Sequence, residues 1–206
     1  MPVLTLAVGP LKTNCYLFYH QKNKNALIID PGDDADLIIE QIKKLKLKPQ
    51  GILATHGHFD HILAINELKK KFTNLPFYLN KKDSFILNSA PAMAKFFIKK
   101  EIKTLPKVNH FLKNDQSLNI SGLSLKIIET PGHTPGSVVL YSEKEQLAFT
   151  GDTIFADGYY GRTDLEGSDA KILKQSLGKI FKLPKNTVLY PGHGASTTVK
   201  EALEYF

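Results

Sequence analysis

The segment Thr55-His56-Gly57-His58-Phe59-Asp60-His61 places four side chains able to ligate a metal ion within six residues. It constrains the fold before anything else is read. The apolar run before it, GILAT (51–55), reads as a buried strand, and the stretch after it, about 61–72, reads as a helix with Ile62, Leu63, Ile65 and Leu68 on its apolar side. The four side chains therefore sit on a strand-to-helix loop, where a rigid scaffold presents functional groups. They cannot all face one ion. His56 and His58, two apart on an extended loop, point the same way, whereas Asp60 and His61, at the turn into the helix, can face a second position. The spacing suits two adjacent sites.

Further candidates appear singly, each just after a predicted strand and beside glycine. His133 lies in Thr130-Pro131-Gly132-His133-Thr134-Pro135-Gly136, Asp152 in Thr150-Gly151-Asp152-Thr153, and His193 in Tyr190-Pro191-Gly192-His193-Gly194. Glycine beside a ligand allows a tight turn and a close approach of the backbone to an ion. Of seven histidines, only His20 and His110 fall outside these contexts. One histidine beside Gly or Pro is ordinarily a turn residue; a set of them at successive strand ends needs another explanation. The donors are imidazole and carboxylate without thiolate, which suits Zn(II) and also Fe(II) or Mn(II).

The remaining pattern is of strands and helices in both halves. VLTLAV (3–8), CYLFYH (15–20) and ALIID (26–30) read as strands, the last ending at the Pro31-Gly32 turn. Residues 35–46 carry Leu37, Ile38, Ile39, Ile42 and Leu45 near a 3.6 period and read as an amphipathic helix. Segment 81–104 reads as helical but broken by Pro91 and Pro106, and the role of residues 81–116 stays open. Strands at 124–130, 137–142, 146–150 and 187–190 and helices at about 168–181 and 196–205 complete an α/β sandwich. At 206 residues, one domain spanning 1–206 is expected.

Composition narrows the function classes. The net charge of +7 is nearly all lysine, scattered over polar helix faces, and the chain has one arginine, Arg162. A nucleic-acid footprint adds arginine and aromatics, so no nucleic-acid partner is expected. The charge can steer an anionic small molecule. No apolar run approaches the length of a membrane span, no basic and apolar leader opens the chain, and Cys15 is the only cysteine. These features point to a cytoplasmic protein with no membrane association, and Cys15 to a small core residue.

With these motifs the chain resembles the metallo-β-lactamase superfamily, whose signature is His-x-His-x-Asp-His followed by a distant His, Asp and His. The resemblance runs from Asp30-Pro31-Gly32 to Pro191-Gly192-His193. It implies a four-layer αβ/βα sandwich of two mixed β-sheets flanked by helices, with two divalent metal ions, zinc before iron or manganese, at one edge. It implies that His56, His58 and His133 hold the first metal, that Asp60, His61 and His193 hold the second, and that Asp152 bridges them. Asp30 matches a buried aspartate supporting the site. The chemistry implied is hydrolysis by a hydroxide bridging the metals, oriented by Asp60 as the catalytic carboxylate.

Within the superfamily the motifs are most similar to the glyoxalase II group, hydroxyacylglutathione hydrolases that cleave thioesters. Thr55 to His61, Thr130 to Ser137 and Gly151-Asp152-Thr153-Ile154-Phe155 carry that likeness, while Gly161-Arg162-Thr163-Asp164 is typical of a short bacterial glyoxalase II-like subgroup and recurs in persulfide dioxygenases. An anionic thioester is the implied substrate, with Arg162 as the counterpart of a basic glutathione-binding residue and Tyr159 and Tyr160 as candidate lining. Two departures stand against glutathione recognition. The chain ends thirteen residues after His193, without the expected C-terminal glutathione-binding helical domain, and Gly194-Ala195-Ser196 lacks the tyrosine that usually follows the last histidine. A mononuclear iron persulfide dioxygenase and a lactonase share these motifs and stay open as alternatives. A ribonuclease would be expected to carry a further domain, and an inactive metal-binding module to lack a ligand.

Overall fold

The structure is a computed structural model describing residues 1–206. Its central strands are apolar on both faces, and this dictates the layering. In β2 (Thr13–Tyr19), Cys15 and Leu17 belong to one buried cluster while Tyr16 and Phe18 belong to another. In β9 (Val138–Ser142), Val138 and Leu140 share the cluster of Phe18, while Val139 and Tyr141 join a third. A strand whose alternate side chains all need burial requires cover on both sides. The solution is two sheets packed face to face, each backed by helices, which is the expected four-layer sandwich of two mixed sheets.

The first sheet has the order β1 (Val3–Val8), β2, β3 (Asn25–Ile29), β4 (Lys48–Leu53), β5 (Phe77–Asn80), β6 (His110–Leu112). Its first three strands pair antiparallel and β3 to β6 pair parallel. The second runs β7 (Ser117–Ile120), β8 (Leu123–Glu129), β9, β10 (Leu147–Gly151), β11 (Val188–Pro191), β12 (Thr197–Thr198), with only the β10–β11 pair parallel. Between the sheets lie Phe18, Leu27, Ile29, Leu53, Ile127, Leu140 and Phe149. The outer face of the first sheet is covered by α1 (Ala35–Lys44), α2 (Ile65–Lys71) and α3 (Ser84–Ile98) through Ile38, Ile42, Ile65, Leu68 and Ala90. That of the second is covered by α4 (Ala170–Ile180) and α5 (Val199–Ala202) through Leu177, Ile180 and Val199. No helix is long and apolar enough to cross a membrane.

Several local readings are corrected. Pro91 does not break the helix after Asp83 but lies inside α3, which ends at Ile98 with Lys99 in the left-handed region (φ 56°), well before Pro106. An interior proline costs about 3 kcal/mol, and burial of Ile86, Leu87, Ala90 and Ala94 outweighs it. The helix expected over 61–72 is a short 3-10 turn at Phe59–His61 followed by α2, because Asp60 and His61 are turned inward. The terminal helix expected at 196–205 is split: Thr197–Thr198 pairs with β11, and a capping box between Thr198 and Glu201 then starts α5. Strands β5, β6 and β7, short and irregular in pattern, lie in stretches where sequence reading assigned no strand.

Candidate metal centre

Four segments reach one edge of the sandwich from the ends of β4, β8, β10 and β11, and all seven candidate ligands meet there. The imidazole nitrogens of the first group nearly touch: His56 Nε2 lies 3.1 Å from His58 Nδ1, which lies 3.0 Å from His133 Nε2. In the second group, Asp60 Oδ2 is 3.6 Å from His61 Nε2 and 3.4 Å from His193 Nε2. Asp152 stands between them, with Oδ1 3.5 Å from His61 Nε2 and Oδ2 3.5 Å from His133 Nε2 and 3.7 Å from His193 Nε2. The triads His56/His58/His133 and Asp60/His61/His193, and a third of His56, His61 and Asp152, each bring their ligand atoms within 4.8 Å of one another.

The outward nitrogens are anchored, and that fixes which nitrogen faces inward. His133 Nδ1 donates to the Arg162 carbonyl at 2.9 Å, and His193 Nδ1 donates to the Leu11 carbonyl at 3.1 Å. His56 Nδ1 meets Thr55 Oγ1 at 3.1 Å. The Thr55 hydroxyl donates in turn to Asp30 at 2.7 Å, and Thr55 N–H donates to the same carboxylate at 2.7 Å. Asp30 is buried and also lies 3.1 Å from His61 Nδ1. Outer partners of this kind hold ligand histidines in one tautomer and orientation.

The electrostatics ask for positive charge at the centre. Burial, with neighbouring imidazoles, keeps His56 well below the usual histidine value, and burial together with His133 brings His58 to about 3. Both are neutral, with lone pairs available. His61 is the opposite: burial pushes it down, but Asp60, Asp152 and Asp30 carry it up to about 10. Burial pushes Asp60 up, yet His61 and His193 outweigh it and hold the carboxyl well below its usual range. Facing the centre, Nε2 of His61 and Oδ1 of Asp152 are buried without a hydrogen-bond partner. Orphaned buried polar atoms are rare and costly. An imidazole and carboxylate donor set with such orphans fits divalent cations.

The substrate-facing candidates lie on the loop after Asp152. Arg162 forms a two-point ion pair with Asp164 at 2.7 and 2.6 Å, and its guanidinium sits 5.9 Å from the centre of the Phe97 ring. Tyr160 faces the ring of Phe206 at 6.4 Å, whereas Tyr159 is 71% exposed. A surface cavity of about 940 Å³ lies by Leu63, Asn66, Lys69, Lys100 and Leu105 and includes none of the seven candidate ligands.

Residues the sequence did not single out complete the centre. Thr13 Oγ1 donates to Asp60 Oδ2 at 3.0 Å. Asn14 holds the His193 turn through N–H to the Gly192 carbonyl at 2.7 Å and Nδ2 to the Pro191 and Gly194 carbonyls at 3.0 and 2.9 Å. Tyr16 donates its hydroxyl to the Pro191 carbonyl at 2.5 Å. Phe97, from the stretch left open in the sequence, stacks on Phe59, which lies between the candidate ligands His58 and Asp60. Thr13 and Asn14 lie just before the stretch read as a strand at 15–20, which begins at Thr13 in the structure, so no local pattern marked them.

Comparison with known proteins follows the same lines. The family model described as the metallo-beta-lactamase superfamily matches residues 8–193. A curated relative from Haemophilus influenzae, named hydroxyacylglutathione hydrolase GloC, is 34% identical over 97% of this chain and 93% of its own. The crystal structure titled BLEG-1 B3 metallo-beta-lactamase superposes with a TM-score of 0.92 at 38% identity, covering 98% of this chain and 97% of that one. That of TTHA1623, titled as a di-iron-bound form, gives 0.89 at 32% identity, covering 98% of each chain.

Proposed function

The chain belongs to the metallo-beta-lactamase superfamily, and from that membership we propose that it is a binuclear metal-dependent hydrolase of small anionic thioesters of the S-acylglutathione kind. The observation that carries the hydrolase reading is Asp152, one carboxylate with Oδ1 toward His61 and Oδ2 toward His133 and His193, placed to serve both triads. The thioester part rests on the glyoxalase II-like motifs and on the relative whose name assigns it that activity. His56, His58 and His133 would hold one cation, Asp60, His61 and His193 the other, and Asp152 both. Zinc is the first assignment for this donor set; the di-iron form of TTHA1623 makes iron the second. When bound, a pair of such cations lowers the pKa of a shared water toward neutrality and polarises an acyl carbonyl.

The chain's own residues do the rest. Asp60, fixed by Thr13 Oγ1 at 3.0 Å, orients the attacking water. Asp30 through Thr55, the Leu11 carbonyl and the Arg162 carbonyl hold the imidazoles so that water and acyl group meet a fixed geometry. Arg162 is the candidate for the substrate's negative end, sharing its charge with Asp164, and Tyr159 for contact beside it.

Elemental analysis of freshly purified protein, coupled to S-lactoylglutathione hydrolysis, tests the proposal. Close to two metals per chain with hydrolysis is expected. One iron per chain with oxygen consumption on glutathione persulfide would replace the reading with a dioxygenase, and opening of a β-lactam without thioester cleavage would move the substrate to an amide.

A further inference from the structure

Asp83 is fully buried and is not one of the seven candidate ligands. Its charge is met by dipoles from two loops. Gly57 N–H donates to Oδ2 at 2.7 Å, the Thr134 hydroxyl donates to Oδ2 at 2.8 Å, and Gly136 N–H donates to Oδ1 at 2.6 Å. Gly57 is the residue between His56 and His58; Thr134 follows His133, and Gly136 closes the same loop. One carboxylate thus ties the loop after β4 to the loop after β8, the two that carry all three nitrogens of the His56/His58/His133 triad.

The approach leaves no room for side chains. A Cβ on Gly57 would stand 2.9 Å from the Asp83 carbonyl oxygen, and one on Gly136 would stand 2.6 Å from Asp83 Oδ1. Both lie far inside normal contact, so these glycines admit the turn that bears Asp83. The other triad has separate supports: Thr13 on Asp60, Leu11 on His193 and Asn14 on the Gly192 turn.

We propose that Asp83 is a positioning residue that sets the spacing between the His56–His58 loop and the His133 loop, so that its loss weakens cation binding at the His56/His58/His133 triad and spares the Asp60/His61/His193 triad. The inference rests on the two-site reading above. Charge-assisted hydrogen bonds from backbone N–H groups are the stronger kind, and removing such outer supports typically lowers metal affinity about 10- to 100-fold. A general loosening of the fold would affect both triads alike.

The experiment isolates each triad. Zinc affinity is measured by competition with a chromophoric chelator in an H193A chain, where the first triad is intact, and in an H133A chain, where the second is. D83A should lower affinity about 10- to 100-fold in the H193A background and by less than about threefold in the H133A background. D83N should do so to a smaller degree, because its amide keeps one acceptor and turns an N–H toward a donor. T134V, which removes one of the three donors, should act in the same direction and serves with D83N if D83A does not fold, as judged by thermal melting of the metal-free chain. Equal losses in both backgrounds, or no loss in a folded variant, overturn the proposal. An otherwise unsubstituted chain that binds only one zinc ion overturns the two-site reading first and this inference with it.

Discussion

Replacing Asp30 with asparagine would change one atom and reach the centre through two hydrogens. A carboxylate can only accept, so it commits both the N–H and the hydroxyl of Thr55 to donate toward it, each at 2.7 Å. With its proton spent, Thr55 Oγ1 can only accept from His56 Nδ1 at 3.1 Å, which leaves the lone pair of His56 Nε2 facing the centre. In Asp30→Asn the amide oxygen stays on the Thr55 N–H, which has no alternative role, and the amide nitrogen faces Oγ1. The hydroxyl must then turn its proton to His56 Nδ1, and the favoured tautomer aims N–H at the metal position. Asp30 has φ 50°, a left-handed value asparagine tolerates, so backbone strain is not added.

Two magnitudes follow. A charge-assisted bond of about 1.5–3 kcal/mol falls toward about 1, and an amide N–H now opposes His61 Nδ1, so the metal-free protein should lose about 1–3 kcal/mol in urea unfolding. Zinc affinity should fall about 10- to 100-fold, equivalent to about 1.4–2.7 kcal/mol. Chelator competition and equilibrium unfolding on the same preparations read both. Zinc affinity within a factor of two of the parent, in a folded variant, would refute the relay from Asp30 through Thr55 to His56.

Other substitutions separate the remaining roles. Asp152→Ala should remove turnover and metal loading together, measured as hydrolysis rate and metal content, since both triads face this side chain; full activity would reject the shared role. Arg162→Ala should raise KM for an anionic thioester severalfold and leave a neutral one unchanged, while the unfolding midpoint stays where it is because the Asp164 pair is exposed. Equal effects on both substrates would leave Arg162 as packing for Phe97.

Residues 55–61 stood out because ligand chemistry needs particular side chains at close spacing, and no propensity argument competes with four candidate ligands in six residues. His133, Asp152 and His193, which stand singly, were legible as candidates because each follows a strand and sits beside glycine. Elements whose form depends on distant partners were not. Pro91 reads as a helix breaker, yet it is carried inside α3 by burial against the first sheet. The short strands β5 to β7 exist because neighbouring strands accept their hydrogen bonds.

The sequence by itself determined the candidate donor set, the order of the loops that bear it along the chain and the apolar runs that become buried strands. These are properties of composition and spacing. Only the tertiary structure decided how the ligand set is held. Asp83 lies 26 residues from Gly57 and 53 from Gly136, and Asn14 lies 177 residues from Pro191. Hydrogen bonds across such separations form only once the sheets have packed, and no local pattern encodes them.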